Sequence, residues 1–208
     1  MQLKQMVDTV DIEDPELARS VSEHRAALRA RMAPSQVVTR AGTMLRMVKQ
    51  GLNDMAQVHE DRILLGFLGV VAFGRSMTLV MQNLRTHGRE EFDAWYSPWQ
   101  REMQGDPLMR YFNDLRTMVI HHNAPAIGIS STDTNGPPIG SITIDDLPLP
   151  EAHLGHSLDD TSMKTLCRLY FEYLECMFEA FVPVAFKVQD RILAADKHQE
   201  HGRLDGAA

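Results

Sequence analysis

The most restrictive feature of this chain is a run of 12 apolar residues, Ile63 to Gly74, bounded by Arg62 and Arg75. A helix that crosses a bilayer needs about 20 apolar residues, so the run is too short to span a membrane. A helix that is apolar almost all round belongs in the middle of a bundle, and we predict one over residues 60–86. Three glycines inside it would allow another backbone to approach closely: Gly66, Gly69 and Gly74.

Apolar residues recur at helical spacing in most of the remaining chain, between breaks that contain proline, glycine or polar residues. The pattern predicts an all-α, up-down bundle of five or six helices in a single domain covering residues 1–208. Residues 1–13 form a loose N-terminus and residues 198–208 a frayed tail. The other predicted helices are residues 14–32, 36–57, 89–103 and 106–122. A long last helix is predicted to be capped by Asp159 or Asp160 and to be kinked or split at Pro183.

Residues 123–158 interrupt the helical pattern with a long excursion before the last helix. Residues 126–129 and 139–144 alternate as strands do, and an Asn-Gly turn signal lies between them. We therefore predict a β-hairpin or an extended loop there, followed by irregular chain over residues 145–159.

The charge balance limits the classes of partner. A net charge of −7 argues against a broad nucleic-acid surface, although it leaves room for a small cationic cleft. The first residues lack the apolar core of a signal peptide. Cys167 and Cys176 lie roughly 13 Å apart on one predicted helix, too far for a bridge. These features predict a cytoplasmic protein with no membrane segment.

The best functional clue is Arg116 followed by His121, near the end of the predicted helix 106–122. Arginine is a permanently charged fork suited to phosphate, and histidine exchanges protons near neutral pH. Together they could cleave RNA through its own 2′-hydroxyl without a metal. On an ideal helix the two residues lie about 140° apart. The reach of the arginine could close part of this gap, and a two-fold dimer could bring two such pairs into one cleft. His122 is an alternate histidine.

A purely structural interpretation uses the same residues. Arg116 could pair with Asp114 or Asp93, while His121 and His122 could simply occupy a helix C-terminus, where positive charge is favoured.

The segment Arg116-Thr117-Met118-Val119-Ile120-His121, late in a helical bundle, resembles the R-x(4–6)-H motif of the HEPN superfamily, and the resemblance extends over residues 95–123. It implies a compact α-bundle and a homodimer. It also implies a metal-independent endoribonuclease of a toxin–antitoxin or defence type, with an RNA substrate and an antitoxin or other protein partner. Arg116, Thr117, His121 and His122 would form its catalytic site. Thr117 departs from the polar amide or acid common there. The alternative is a non-catalytic HEPN-like module that binds a protein or nucleotide.

Other site classes find less support, and we predict neither a metal nor a cofactor. The pairs His153/His156 and His198/His201 lack a nearby cysteine and are interpreted as solvated. There is no phosphate-binding glycine loop and no G-x-S-x-G elbow. The two cysteines and the aromatic cluster at residues 95–99 are predicted to pack in the core.

Overall fold

The computed structural model describes Arg19 and residues 32–57, 59–121, 127–132, 139–144, 147–158 and 161–205, and it confirms the all-α bundle. Arg19 is helical, and the rest of the predicted helix 14–32 lies outside the described residues except for Met32. A 3₁₀ segment, Gln82–Thr86, extends the second helix. The helices are α1 (Pro34–Asp54), α2 (Glu60–Met81), α3 (Arg89–Gly105), α4 (Pro107–His121) and α5 (Met163–Asp205).

Helix α2 makes its most extensive contact with α1 and also meets α4 and α5, whereas α5 packs against all four of the other described helices. Gly51 and Gly66 face each other where α1 and α2 cross, and a Cβ added to either would strike the backbone carbonyl of the other. The predicted role of Gly66 in close approach is thereby confirmed. Residues 60–86 are long and apolar enough to cross a membrane, but 44% of the most apolar window is buried within the fold.

Helix α5 runs unbroken through Pro183, contrary to the predicted split, and it continues to Asp205 instead of fraying at residue 198. Proline removes one hydrogen bond to the carbonyl four residues earlier, on Glu179. Both residues are exposed, so water can satisfy that carbonyl. Pro98 in α3 is exposed in the same way. The N-terminus of α5 is capped by Ser162, not by the predicted Asp159 or Asp160, because the helix begins at Met163 and the Ser162 hydroxyl accepts from the Thr165 N–H at 3.3 Å.

Two hairpins occupy the excursion between α4 and α5. Strands β1 (Ile127–Thr132) and β2 (Ile139–Ile144) pair antiparallel, with Ile129 opposite Ile142, which confirms the predicted hairpin. A second, shorter pair lies in the stretch predicted to be irregular: β3 (Ala152–His153) and β4 (His156–Ser157).

The β3–β4 turn places its two central residues at positive φ, Leu154 at 48° and Gly155 at 79°, as a two-residue hairpin of mirror-image type requires. A leucine rarely adopts this conformation. Here the Leu154 N–H donates to the Asp106 carboxylate at 2.8 Å, a bond that helps to hold the turn. The turn at Leu154 and Gly155 is therefore stabilised by Asp106, which is 48 residues away in the sequence. Sequence patterning missed the turn because this partner is distant.

Candidate functional site

Helix α4 positions the predicted site by burying one face in the bundle. Leu108, Phe112 and Leu115 are fully buried, at helical spacing. The Phe112 ring stacks on Tyr170 of α5, with centroids 4.1 Å apart and planes 5° from parallel. This contact fixes the rotation of α4 and thereby sets where its next turn, with Arg116, must lie.

Arg116 is half-buried, and its Nε atom is enclosed without a hydrogen-bond partner among the residues that the structure describes. The carboxylates proposed as structural partners are not seen to pair with it. Asp93 binds Arg85 at 2.9 Å and Arg89 at 3.6 Å. In the described part of the chain, Asp114 makes a hydrogen bond only to its neighbour Asn113. Among the described residues, no acid pairs with the half-buried Arg116 guanidinium.

Thr117 is placed beside Arg116, but its hydroxyl donates to the Asn113 carbonyl at 3.0 Å, one turn earlier. That bond directs the hydroxyl to the helix backbone. His121 is the last residue of α4, and its side chain lies outside the described residues, as does all of His122. The predicted pairing of Arg116 with His121 therefore stays a prediction.

The Tyr170 hydroxyl lies close to two cations, Arg116 of α4 and Arg75 of α2. Burial raises the pKa of Tyr170, while the positive charges of the two arginines oppose that increase. Gly74 makes the arrangement possible, because a Cβ there would overlap the Tyr170 ring and hydroxyl. Arg75 and Arg116, 41 positions apart in the sequence, are thus brought to the same part of the bundle.

A polar groove of about 240 Å³ opens next to this cluster, between α2, α3 and α4. Arg75 and Arg110 line it, together with uncharged polar side chains. Asn113 also lines the groove, and Arg116 follows it by three residues, on the next turn of the same face of α4. The described lining residues are Arg75, Thr78, Tyr96, Gln100, Met103, Gln104, Met109, Arg110, Asn113 and Tyr170.

At the other end of α4, Asp106 caps the helix and holds the β3–β4 turn. Its carboxylate accepts from the Met109 N–H at 3.0 Å and from the Leu154 N–H at 2.8 Å. His153 Nδ1 lies 3.0 Å from both carboxylate oxygens. Burial alone would raise the pKa of Asp106, but the hydrogen bonds from Leu154, His153 and Met109 outweigh it and hold the pKa below its ordinary value.

This arrangement corrects one interpretation of the histidines. His153 is buried and bonded to Asp106, not solvated, whereas His156 is exposed as predicted. The side chains of His198 and His201 lie outside the described residues. Among the side chains that are described, no group of three or more potential metal ligands comes together.

A second groove, of about 530 Å³, runs from His153 along α5 to Cys176. Cys176 is exposed, which corrects its predicted place in the core, whereas Cys167 is fully buried as expected. The aromatic cluster of α3 packs as predicted. Trp95 lies against Phe181, with ring centroids 5.1 Å apart, and Trp99 meets Tyr173 edge-on.

Sequence patterning missed two features of these sites. An aspartate directly before Pro107 is typical of a helix start, but the partner of Asp106, His153, is 47 residues away and carries no local signal. Arg75 follows the apolar run, and Arg110 lies near the start of the helix predicted over residues 106–122. Nothing in the sequence indicated that the two arginines share a groove.

Comparison with known proteins gives one finding. A family model described as bacteriophage lambda protein ea47 matches residues 67–123, a little over a quarter of the chain. The match begins within α2 and ends just after α4, so it spans Arg75, Arg110 and Arg116. No curated protein matches, and no solved structure matches.

Proposed function

We propose that this chain is a HEPN-like, metal-independent endoribonuclease that works as a homodimer. The observation that carries the proposal is the Arg116 guanidinium, half-buried and without a carboxylate partner among the described residues. An arginine kept partly out of water and not neutralised is suited to receive an anion such as a phosphodiester.

In the proposed reaction, His121 removes the proton from an RNA 2′-hydroxyl, whose oxygen then attacks the adjacent phosphorus. The bond from phosphorus to the 5′-oxygen breaks, and that oxygen receives a proton from a histidine. The products are a 2′,3′-cyclic phosphate and a 5′-hydroxyl end. Arg116 stabilises the negative charge that builds up on the non-bridging oxygens.

A two-fold dimer supplies the second half of this chemistry. Arg116 and His121 lie about 140° apart around an ideal helix, so one copy does not present both to a single point. Packing α4 against its copy would place an arginine of one protomer near a histidine of the other. Thr117 would assist only after its hydroxyl leaves the Asn113 carbonyl, and His122 would serve as the alternate proton carrier.

The hydrogen bond of Thr117 also favours a second candidate, the non-catalytic HEPN-like module. A hydroxyl committed to the helix backbone contributes nothing to a reacting phosphate. In that case Arg116 would bind an anionic group of a nucleotide or protein partner, and no bond would be broken.

The test is incubation of the purified protein with random-sequence RNA in excess EDTA, beside Arg116→Ala, His121→Ala and Arg116→Lys. Arg40→Ala is the matched control, because Arg40 is also a helical arginine but is exposed on α1. We expect wild type and control to produce 2′,3′-cyclic phosphate ends and the two alanine variants to produce none. Arg116→Lys keeps the charge but loses the fork, so it should retain only a small part of the activity.

Two results would reject the nuclease. Cleavage that survives in Arg116→Ala would show that the arginine is not part of the site. A wild-type dimer that binds RNA through Arg116 yet leaves it intact would instead establish the binding module.

A further inference from the structure

The groove between α2, α3 and α4 differs in charge from the chain around it. Two arginines from different helices line it, Arg75 at the end of the apolar run and Arg110 in the first turns of α4. None of its described lining residues is acidic, although the whole chain carries a net charge of −7. A local excess of positive charge in an acidic protein raises the concentration of anions at that point.

Arg75 is held in position by a hydroxyl group, and no carboxylate pairs with it among the residues that the structure describes. Its Nη1 donates to the Thr78 hydroxyl oxygen at 3.0 Å, and that hydroxyl donates in turn to the Arg75 carbonyl at 2.9 Å. Thr78 is itself 2% exposed, so the contact is anchored in the core. The guanidinium keeps its full charge and most of its donors, because a hydroxyl cancels neither.

Arg110 has a carboxylate four residues away on each side, but neither pairs with it among the described residues. Carboxylates four residues away are the favoured partners, and α4 has one on each side, Asp106 and Asp114. The Asp106 oxygens are occupied by Met109, Leu154 and His153. Asp114 makes no ion pair with Arg110 in the described part of the chain, so the exposed Arg110 side chain has no acid partner there.

Arginines elsewhere in the fold show the contrast. Arg62 pairs with Asp54 at 3.1 Å, and Arg191 pairs with Glu91 at 2.6 Å while also donating to a backbone carbonyl. Those arginines connect helices, whereas Arg75 and Arg110 line a groove.

The remaining lining suits a tetrahedral oxyanion. Gln100 and Asn113 offer amide N–H donors, and Tyr170 offers a hydroxyl in the same groove. The volume of about 240 Å³ is several times the ~30 Å³ that one water takes in the liquid, which leaves room for a phosphate group and its ester substituent.

We propose that the Arg75–Arg110 groove is a binding site for a phosphate group, distinct from the Arg116–His121 pair. Both arginines would reach the phosphate oxygens with charge-assisted hydrogen bonds, and the amides would complete its shell. Binding there requires no cleavage. If the chain also cleaves RNA, which rests on the proposed function, the groove would hold a phosphate next to the scissile one.

The test is isothermal titration calorimetry in EDTA with three probes: inorganic phosphate, adenosine 5′-monophosphate and uncharged adenosine. We expect the two phosphates to bind and adenosine not to bind. Arg110→Gln should weaken binding by about tenfold, since a charge-assisted bond is replaced by a neutral one. Because Arg110 is exposed, that variant should fold as wild type does. Arg40→Gln on α1 is the matched control and should bind normally.

The outcomes separate the sources of the phosphate and the two proposals. Tighter binding of the nucleotide than of inorganic phosphate would assign a nucleotide or nucleic-acid ligand, and equal binding would assign any phosphate. The titration measures binding without cleavage, and both of its variants keep Arg116, which makes the test independent of the nuclease. No binding by wild type, or an equal loss in Arg40→Gln, would overturn the site.

Discussion

The amino-terminal end of α4 holds a buried carboxylate that accepts bonds on both oxygens, whereas later turns carry Arg110 and Arg116, which have no acid partner among the described residues. Asp106 ties α4 to the β3–β4 turn. Arg110 lines a groove, and Arg116 lies half-buried near the end of the helix. A satisfied buried group is typical of architecture, and an unsatisfied charge held in place is typical of binding. The comparison separates a structural position from the positions that we propose to be functional within one helix.

The largest expected loss of stability is at Asp106, at the amino-terminal end of α4. Asp106→Ala removes the cap of α4 and leaves the buried His153 and Leu154 donors without an acceptor, so we expect a loss of about 3–5 kcal/mol in unfolding free energy. Chemical denaturation measures it. Asp106→Asn retains a capping oxygen and should lose clearly less. An Asp106→Ala protein as stable as wild type would show that the contacts of Asp106 do not stabilise the fold.

A smaller loss of stability is expected at Gly74, which packs against Tyr170. A Cβ at Gly74 would overlap Tyr170, so Gly74→Ala should destabilise the fold by about 1–3 kcal/mol through overpacking. Gly69→Ala on the same helix is the matched control, since its Cβ would lie 3.9 Å from the nearest atom, the Gly51 Cα. Its higher helix propensity should leave stability unchanged or raise it by up to about 1 kcal/mol. Equal melting temperatures for the two variants would contradict the close packing of Tyr170.

The loss of stability in acid should follow the protonation of the Asp106 carboxylate. Its pKa is lowered in the folded chain from an ordinary value of 3.8, so its contribution is fully present well above pH 3.8. That contribution is lost as the pH falls through the lower, folded pKa. The stability difference between wild type and Asp106→Asn should therefore shrink in acid. A difference that stays constant from about pH 7 to about pH 2 would contradict the lowered pKa.

The smallest effect on stability is expected at Arg116. Without an ion pair in the described part of the chain, Arg116→Ala should change the unfolding free energy by less than about 1 kcal/mol. The same change should abolish RNA cleavage. A loss of several kcal/mol would instead show that Arg116 is a structural residue, and the contrast between the two ends of α4 would disappear.

Most of the helices could be read from the sequence, because apolar periodicity and local stop signals are properties of neighbouring residues. The prediction of residues 60–86 agrees with α2 and its 3₁₀ extension. Helix α4 ends at His121, within one residue of its predicted end. The hairpin of β1 and β2 was also predictable from strand alternation around an Asn-Gly turn. The predicted split at Pro183 was wrong, because the cost of a proline inside a helix depends on whether the freed carbonyl meets water.

The sequence by itself determined the all-α class, the helix formed by the apolar run and the position of Arg116 near the end of α4. Only the tertiary structure decided that Asp106 meets His153, that Tyr170 lies by Arg75 and Arg116, and that Arg75 and Arg110 share a groove. Helix formation depends on residues a turn apart, so local sequence encodes it. Groups that meet across helices depend on the packing of the whole bundle, which leaves no periodic trace in the chain.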